Sequence, residues 1–361
     1  MKKIITCILA MLGLTTACGQ QNYENTDVKG FLELLKDPSV VVLDVRTPEE
    51  FKDGHVEGAL NIDQSQGDFI QQAKATLPKD KTIAIYCRSG RRSASAAGRL
   101  ADEGYKCVNL KGGIIAWREA NMPVTTDTYE VDVFHTKSGK TVKFYALVHA
   151  SIRIDYDGKE IMIDPVTKLG QKTIDYSTMP KADYIFVTHE HGDHFDKEAI
   201  KLLASEKTQL VMNGRCAEMY GAGLAMVNGQ CVILDDIKVE AVPAYNVTEG
   251  RTQFHPKNRD NGYILTLDGL RIYIAGDTED IPEMMGQQNS GDSQSQGIKD
   301  IDIAFLPCNQ PYTMTTEQLV KAAGMIKPKV LFPYHYGQTD VGTIPSQLKG
   351  SGIDVRIRHY E

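Results

Sequence analysis

Two absences limit what this chain can bind. It has no basic excess, because 40 lysines and arginines stand against 47 aspartates and glutamates, and the net charge is −7. Proteins that hold phosphate backbones need a basic stripe, so nucleic acid is not an expected partner. The apolar run at residues 4–14 is also shorter than the roughly 20 residues of a membrane-spanning helix. A retained transmembrane anchor is therefore not expected.

Cysteine is sparse and its spacing excludes a disulfide framework. The chain has seven cysteines, and none are spaced as C-x-x-C. Cys7 and Cys18 lie in the N-terminal segment, which leaves an odd number for the rest of the chain. Neither a disulfide scaffold nor a zinc ribbon fits this pattern. Cys87 has distinctive neighbours, and we expect the other four to be small buried hydrophobic residues: Cys107, Cys216, Cys231 and Cys308.

Residues 1–18 have the form of an export signal. Two lysines precede the apolar run, and small residues lead into Cys18. The segment resembles a bacterial lipoprotein signal, although Thr15 stands where leucine is common. The resemblance implies that Cys18 is lipidated. We therefore expect an exported protein that meets the membrane through a lipid anchor only and faces the periplasm or the cell exterior, with plain secretion as the alternative.

The length predicts more than one domain. At roughly 150 residues per domain, 361 residues correspond to about two domains, each with its own core. The hydrophobic content of 42% and the charged content of 24% are those of an ordinary globular protein. We predict a first domain over residues 25–124, a linker over 125–140 and a second domain over 141–361.

The first domain alternates short apolar runs with helical patterns. "VVVLDVR" and "TIAIYC" predict buried strands, so we expect a parallel sheet covered by helices on both faces. Cys87 ends one of these strands and opens "CRSGRRS", just before a helix that starts near Ser93. Such a loop turns its amides inward and forms an anion site. The helix end and the arginines should lower the pKa of the thiol and hold a thiolate.

This part of the chain resembles a rhodanese domain. The resemblance rests on "LDVRTPEEFKDGHVEGALNI", "CRSGRRS" and "LKGGIIAWREANMPV". It implies that Cys87 accepts sulfane sulfur from a donor as a persulfide, and we interpret Asp44, Arg46 and His55 as scaffold. A related phosphatase would need arginine six positions after the cysteine, where Ser93 stands. The expected anion-binding residues are Arg88, Ser89, Gly90, Arg91 and Arg92.

The second domain begins with a different pattern. Alternating runs turn at Asp157-Gly158 and again at Asp268-Gly269, which predicts two hairpins. "TTEQLVKAAGMI" predicts a helix with a capping box at Thr315 or Thr316. We expect two sheets with helices outside them, and a solvated insertion loop at residues 286–297.

Histidine is scarce, with nine in the chain, yet three lie within "VTHEHGDHFD", residues 187–196. The preceding "DYIFVT" predicts a strand that ends at this loop. His189 and His191 can bind one cation, while Asp193 and His194 can turn towards a second. Imidazole with carboxylate suits zinc, and two divalent ions can share a water. Bound metal lowers the pKa of water towards about 7, so the motif predicts hydrolysis by a metal-bound hydroxide.

With "AGDT" and "PYHYG", this motif resembles the metallo-β-lactamase superfamily, and its pattern is nearest the lactonase-like branch. The resemblance implies that Asp277 bridges two divalent ions, that His335 is the last ligand and that Asp164 orients a ligand. We expect zinc, with manganese or iron as alternatives, and a catalytic part for Asp193. The predicted fold class is α/β, with a rhodanese-like parallel sheet and flanking helices followed by a metallo-β-lactamase αββα sandwich. The expected metal ligands are His189, His191, Asp193, His194, Asp277 and His335.

One position departs from the family pattern. "VPAYN" ends with Asn246 where many members have a metal-binding histidine, and His255 follows nine residues later in "FHPK". Asparagine is a weak zinc ligand. Either the first metal site is looser, or His255 completes it. Both residues are expected at the substrate or metal.

Three functions remain open. The first is an exported sulfurtransferase fused to a dinuclear hydrolase of an ester, lactone, phosphodiester or amide. The second is a mononuclear iron enzyme like the persulfide dioxygenases, although the domain order here is reversed and Asp193, His194, Asp277 and His335 supply a second site. The third is a hydrolase with a non-catalytic rhodanese module, against which the intact Cys87 argues. We favour the first, acting on a small-molecule substrate.

Overall fold

The computed structural model describes residues 22–37, 40–126, 129–286 and 298–360. The predicted signal with Cys18, and residues 287–297 of the predicted insertion loop, lie outside these described residues. The chain divides into two compact units, residues 1–126 and 127–361. Within the described ranges, every helix is too short or too polar to cross a membrane.

The first unit contains one five-stranded sheet and the helices that cover it. The strands are β1 (Glu24–Thr26), β2 (Val41–Asp44), β3 (Leu60–Asn61), β4 (Thr82–Tyr86) and β5 (Lys106–Leu110). The helices are α1 (Val28–Leu34), α2 (Pro48–Lys52), α3 (Phe69–Thr76), α4 (Arg91–Asp102) and α5 (Gly113–Glu119). The spatial order is β1-β5-β4-β2-β3, and every pairing is parallel.

The central strand β4 shows why the sheet is covered on both faces. Ile83 and Ile85 are buried in one apolar cluster with residues of α3 and α4, while Ala84 and Tyr86 are buried in another with residues of α1 and α5. Successive side chains of a strand point to opposite faces. An apolar run without polar alternation therefore needs helices on both sides, and the predicted parallel sheet is confirmed.

The second unit contains two seven-stranded sheets. Its strands include β6 (Val131–His135), β7 (Thr141–Val148), β8 (Ser151–Tyr156), β9 (Lys159–Ile163), β10 (Lys168–Leu169), β11 (Lys172–Thr173), β12 (Tyr184–Val187), β13 (Gln209–Asn213) and β14 (Leu224–Met226). The later strands are β15 (Cys231–Leu234), β16 (Ile237–Ala244), β17 (Asp260–Leu267), β18 (Leu270–Ile274), β19 (Ile303–Pro307), β20 (Val330–Tyr334) and β21 (Asp354–Val355). The helices are α6 (Lys197–Leu203), α7 (Gly214–Tyr220), α8 (Thr316–Ile326) and α9 (Ile344–Gln347).

These elements form four layers. One sheet has the order β14-β13-β12-β9-β8-β7-β6 and the other runs in sequence from β15 to β21. A shared core joins their inner faces, with Phe186 and Tyr263 as an example of the contact. Residues of α6 and α7 pack outside the first sheet, and residues of α8 and α9 outside the second. The predicted αββα sandwich is confirmed.

Local signals predicted several turns and helix starts of both units correctly. Asp157-Gly158 and Asp268-Gly269 have positive φ at both central residues, which matches the twist of a two-residue hairpin. Thr315 is the N-cap of α8 and forms the capping box with Gln318. The predicted helix near Ser93 begins two residues earlier, after Gly90 turns the chain at a φ of 83°.

The linker prediction over residues 125–140 needs correction. Strand β6 lies inside that stretch and pairs with β7 as the edge of the first sheet. Its Asp132 is buried and accepts hydrogen bonds from Arg356 at 2.8 Å and Arg358 at 2.7 Å. These partners stand more than 200 positions away. The local pattern therefore could not indicate the strand.

The described cysteines form no disulfide with one another, but one of them departs from the prediction. Cys107, Cys216 and Cys308 are buried as expected. Cys231 is only partly buried, because it lies on β15, the edge strand of the second sheet.

Candidate metal centre and cysteine loop

Side chains of ligand type converge in the second unit. His189 follows β12, Asp277 follows β18 and His335 follows β20. His149 lies between β7 and β8. Both sheets thus contribute to one rim of strand ends, the position where functional groups gather in α/β folds.

The donor atoms form three overlapping groups, in each of which they lie within 4.8 Å of one another. Asp277 is central, because its Oδ2 lies 3.2 Å from His255 Nε2 and its Oδ1 lies 3.3 Å from both His194 Nε2 and His335 Nε2. This carboxylate can therefore face two cations at once. The groups are His189 with His191 and His255; His189 with His194 and Asp277; and His149 with Asp193, His194 and His335.

Buried atoms without partners test whether metal ions fit here. His189 Nε2, His194 Nε2, His335 Nε2 and Asp277 Oδ1 are buried and make no hydrogen bond to the described residues. Each buried polar atom left unpaired costs about 1–3 kcal/mol. Four such atoms in one cluster indicate a ligand that is not an amino acid. Imidazole nitrogens with carboxylate oxygens fit zinc and similar divalent ions.

Burial favours the metal-binding form of three imidazoles. It lowers the pKa of His189 well below the ordinary value, and it also lowers the pKa of His191 and of His335. These side chains are consequently neutral near pH 7. A neutral imidazole is the form that binds a metal ion.

Carboxylates reverse that effect at two other imidazoles. Burial is the largest single influence and would lower the pKa of His194 and His255, but the neighbouring carboxylates together outweigh it: Asp277 with Asp164 and Asp193 at His194, and Asp277 with Asp260 at His255. The pKa of His194 is raised well above its ordinary value, and that of His255 rises to about 9. Cations beside Asp277 would compete with these protons, so metal binding should release protons.

Asp164 holds His194 from behind. Its carboxylate is fully buried and lies 2.8 Å from His194 Nδ1, and it accepts hydrogen bonds from the amide and the hydroxyl of Thr188, both at 2.7 Å. A carboxylate behind an imidazole fixes the ring and its tautomer. Nδ1–H points to Asp164 and Nε2 is left for the metal cluster. The predicted orienting position of Asp164 is thus where the structure places it.

Asp260 does the same for His255, which the sequence did not indicate. Its Oδ2 lies 3.0 Å from His255 Nδ1, and Arg259 donates to its Oδ1 at 2.7 Å and to its Oδ2 at 2.9 Å. Asp260 is fully buried at the start of β17. In the sequence, the only indication of this role is that Asp260 lies five residues after His255.

The structure also brings in His149, which the sequence reading missed. Its ring lies against that of His335, with centroids 3.7 Å apart, and its Nε2 lies 3.3 Å from Asp193 Oδ2. Its amide donates to the carbonyl of Tyr360 at 2.9 Å, and its carbonyl accepts from the amide of His335 at 3.1 Å. A single histidine in a turn carries no ligand spacing. His149 is a candidate ligand or an orienting group for Asp193.

Asn246 is held by hydrogen bonds to the loop that carries His255 and to Tyr312. Its Nδ2 donates to the carbonyls of Tyr312 at 2.7 Å and Arg251 at 3.2 Å, and its amide donates to the carbonyl of His255 at 2.8 Å. Asn246 therefore ties down the loop that carries His255. His255 itself lies in one group with His189 and His191, and its Nε2 is 3.2 Å from Asp277 Oδ2.

The first unit holds a second candidate site around Cys87. The thiol is buried at the end of β4, and the Ser93 hydroxyl donates to its Sγ at 3.4 Å. Burial opposes ionisation, but hydrogen bonds from the Ser93 hydroxyl and from the amides of Ser93, Ser89 and Gly90 lower the pKa of Cys87 below its ordinary value. The amide cradle predicted from "CRSGRRS" is present.

Helix α5 fixes the backbone of this loop. The amides of Ile114 and Ile115 donate to the carbonyls of Cys87 and Arg88 at 2.9 and 3.2 Å. A Cβ at Gly113, where φ is 56°, would lie 2.3 Å from the Cys87 carbonyl oxygen. Glycine is therefore required for this close approach.

The arginines of the loop differ in their surroundings. Arg88 and Arg91 are exposed, whereas Arg92 forms a forked pair with Glu50, with both distances 2.7 Å. The two scaffold positions interpreted from the sequence are internal contacts. Arg46 pairs with the buried Asp44 at 2.6 Å, and His55 Nδ1 lies 2.9 Å from the carbonyl of Phe51.

The fold and site define a two-unit α/β protein, with a cysteine loop in one unit and a histidine–aspartate metal centre in the other. Family profiles agree, since the rhodanese-like domain matches residues 27–120 and the beta-lactamase superfamily domain matches residues 143–335. The second match covers more than half of the 361 residues. The chain belongs to the beta-lactamase superfamily and carries an N-terminal rhodanese-like domain.

Individual relatives resemble the second unit. A solved structure of a provisionally named metal-dependent hydrolase from Parabacteroides distasonis is 50% identical, with a TM-score of 0.59, and covers 64% of this chain and 100% of its own. A UPF0173 metal-dependent hydrolase of Archaeoglobus fulgidus is 28% identical over 228 residues, 60% of this chain and 94% of the relative. One from Ligilactobacillus salivarius is 32% identical over 193 residues, 52% of this chain and 82% of the relative.

Proposed function

We propose that this chain is an exported enzyme with two activities. The second unit hydrolyses a small ester, lactone, phosphodiester or amide with two divalent metal ions, and the first unit transfers sulfane sulfur through Cys87. The observation that carries the hydrolase proposal is the set of unpartnered buried donor atoms around Asp277. The proposal is also supported by the relatives, which are named metal-dependent hydrolases.

The side chains of the proposed metal centre have different roles. When bound, two divalent ions supply Lewis acidity and a nucleophile from water at neutral pH. Asp277 faces both positions, and Asp164 and Asp260 keep the imidazoles of their partners turned inward. Asp193 is the more open carboxylate, with its side chain 34% exposed. Its Oδ2 is placed to accept a proton or to hold a substrate proton at the solvent side. The first ion would be held by His189, His191 and His255, and the second by Asp193, His194 and His335.

Metal content and turnover together test the hydrolase. Protein purified without added metal should take up about two zinc or manganese ions per chain and then hydrolyse at least one member of a panel of lactones, esters, phosphodiesters and amides. Asp277→Asn should lose both metal and turnover, while Cys87→Ser should keep both. One iron per chain, with oxygen uptake on glutathione persulfide, would instead establish the dioxygenase.

Sulfur transfer rests on the cradle around Cys87. The thiolate attacks the outer sulfur of a donor, the donor's S–S bond breaks, and the donor leaves as sulfite or as a thiolate. Thiosulfate-to-cyanide or persulfide-to-cyanide transfer should vanish in Cys87→Ser, because a hydroxyl cannot form a persulfide. Metal content should be unchanged. Transfer that survives in this variant would refute the assignment and leave a rhodanese module that only binds.

Export is the remaining part of the proposal, and residues 1–18 carry it. We expect radiolabelled palmitate to mark the protein in its native host, and Cys18→Ala to abolish the label. The protein should fractionate with membranes and be released by detergent. An unlabelled but processed protein would support plain secretion instead.

A further inference from the structure

The forked pair between Arg92 and Glu50 has a consequence for the sulfur donor. Arg92 Nη1 donates to Glu50 Oε2 and Nη2 donates to Oε1, both at 2.7 Å. The Arg92 and Glu50 side chains are 32% and 30% exposed, so solvent screens the pair only in part. The pair joins the N-terminal turn of α4 to that of α2, two elements 42 positions apart.

Among the three arginines of the loop, only Arg92 is half-buried, and it directly precedes Ser93, whose hydroxyl donates to Cys87 Sγ at 3.4 Å. The charge of its guanidinium interacts favourably with a thiolate at Cys87. Its hydrogen bonds also lower the pKa of Glu50, so Glu50 is ionised near neutral pH. Asp63 also interacts electrostatically with the Arg92 guanidinium. The positive charge of Arg92 is therefore already matched by a carboxylate.

Possible donors differ by one charge. Thiosulfate brings two negative charges, and attack by the Cys87 thiolate expels sulfite, which carries two. An organic persulfide anion brings one, and the same attack expels a thiolate, which carries one. In both reactions one S–S bond breaks, one S–S bond forms and Cys87 becomes a persulfide anion. A site whose inner arginine is neutralised stabilises the more highly charged reaction less well.

We propose that Glu50 is a specificity-determining residue, which neutralises Arg92 and makes the Cys87 site prefer organic persulfides over thiosulfate. This inference rests on the proposed sulfurtransferase function and names its substrate class. Glu50 acts through Arg92 and does not touch the reacting sulfur. Its effect should therefore appear in the ratio of kcat/KM for thiosulfate to kcat/KM for the persulfide, and in the salt dependence of that ratio.

Glu50→Gln is a sharp test, because it changes charge and little else. Glu50 also forms the capping box of α2 with Thr47, a role that glutamine fills equally well. The amide places an NH₂ group against one arm of the guanidinium, so the forked pairing is lost. Glu49→Gln is the matched control, since it removes the same charge from the exposed face of the same helical turn.

The readout is kcat/KM for thiosulfate and for cysteine persulfide, whose net charge is one unit smaller, measured with the full chain at low and high salt. Wild type should prefer the persulfide. Glu50→Gln should raise the thiosulfate-to-persulfide ratio about fivefold or more at low salt, and less at high salt. Glu49→Gln should leave the ratio unchanged.

Two outcomes would overturn the inference. An unchanged donor ratio in Glu50→Gln, with Cys87 still forming a persulfide, would show that the exposed Arg88 and Arg91 decide donor choice; the sulfurtransferase function would stand. Absence of a Cys87 persulfide from either donor in wild type would overturn both. A mass shift of one sulfur atom on Cys87 separates these cases.

Discussion

The carboxylate behind His255 offers the most direct perturbation of the metal centre. Asp260 Oδ2 faces His255 Nδ1 at 3.0 Å and Arg259 at 2.9 Å, while Oδ1 faces Arg259 at 2.7 Å. Asp260→Asn is nearly isosteric but must turn an NH₂ group towards one of these donors. If the NH₂ group faces His255 Nδ1, the imidazole must carry its proton on Nε2. Nε2 then has no lone pair for a metal ion beside Asp277.

The expected magnitude follows from the lost interaction. A hydrogen bond to a charged group contributes about 1.5–3 kcal/mol. Removing the carboxylate behind a ligating histidine typically lowers metal affinity about 10- to 100-fold, which is a similar free energy. If two ions bind as proposed, we expect Asp260→Asn to lower the affinity for the ion at His189, His191 and His255 by one to two orders of magnitude. The affinity for the other ion should fall less.

Chelator competition measures this effect without relying on turnover. Wild type and Asp260→Asn are equilibrated with graded chelator, and bound metal is counted by mass spectrometry of the eluted ions. Asp164→Asn is the matched control, because it removes the carboxylate behind His194 instead. The two variants should lose different ions. Wild-type affinity at both sites in Asp260→Asn, with normal thermal unfolding, would refute the reasoning.

Three further predictions concern single side chains. His255→Ala should lose about one metal ion per chain and most hydrolytic turnover, since it removes one of three imidazoles; full metal and full turnover would show a structural loop. Alkylation of Cys87 should still occur at pH values below the ordinary thiol pKa, because a lowered pKa keeps the thiolate present there. Ser93→Ala should move the midpoint of the pH–rate profile to higher pH, since it removes a hydrogen bond to the thiolate. An unchanged midpoint would contradict the role of that hydrogen bond. Gly113→Ala should abolish persulfide formation and cost about 1–3 kcal/mol in chemical denaturation of the first unit. Gly104→Ala, at a φ of 88° with open space around it, is its control and should keep the persulfide.

The sequence was sufficient to predict a structural feature wherever the residues that determine it are neighbours in the chain. Asp-Gly pairs predicted two hairpins because only certain residues accept positive φ. "CRSGRRS" predicted an amide cradle, since a helix starts within the motif itself. "HEHGDH" placed four donors on one loop. In each case the geometry depends on a few successive dihedral angles.

The pairing of strands that are distant in sequence decides which side chains lie beside these motifs. His149 has no ligand spacing in the sequence, and only the register of the two sheets brings it to Asp193 and brings His255 to Asp277. Strand β6 is likewise fixed by arginines near the other end of the chain.

By itself, then, the sequence determined the two chemistries: a thiol in an amide loop, and histidines with carboxylates at a strand end. The tertiary structure decided how each is completed. It brings His255 Nε2 to 3.2 Å from Asp277 Oδ2, and it pairs Glu50 with Arg92 across 42 positions. The physical reason is that side-chain type and local spacing fix which atoms can donate or bind. Only the packing of distant strands and helices fixes which of those atoms face each other.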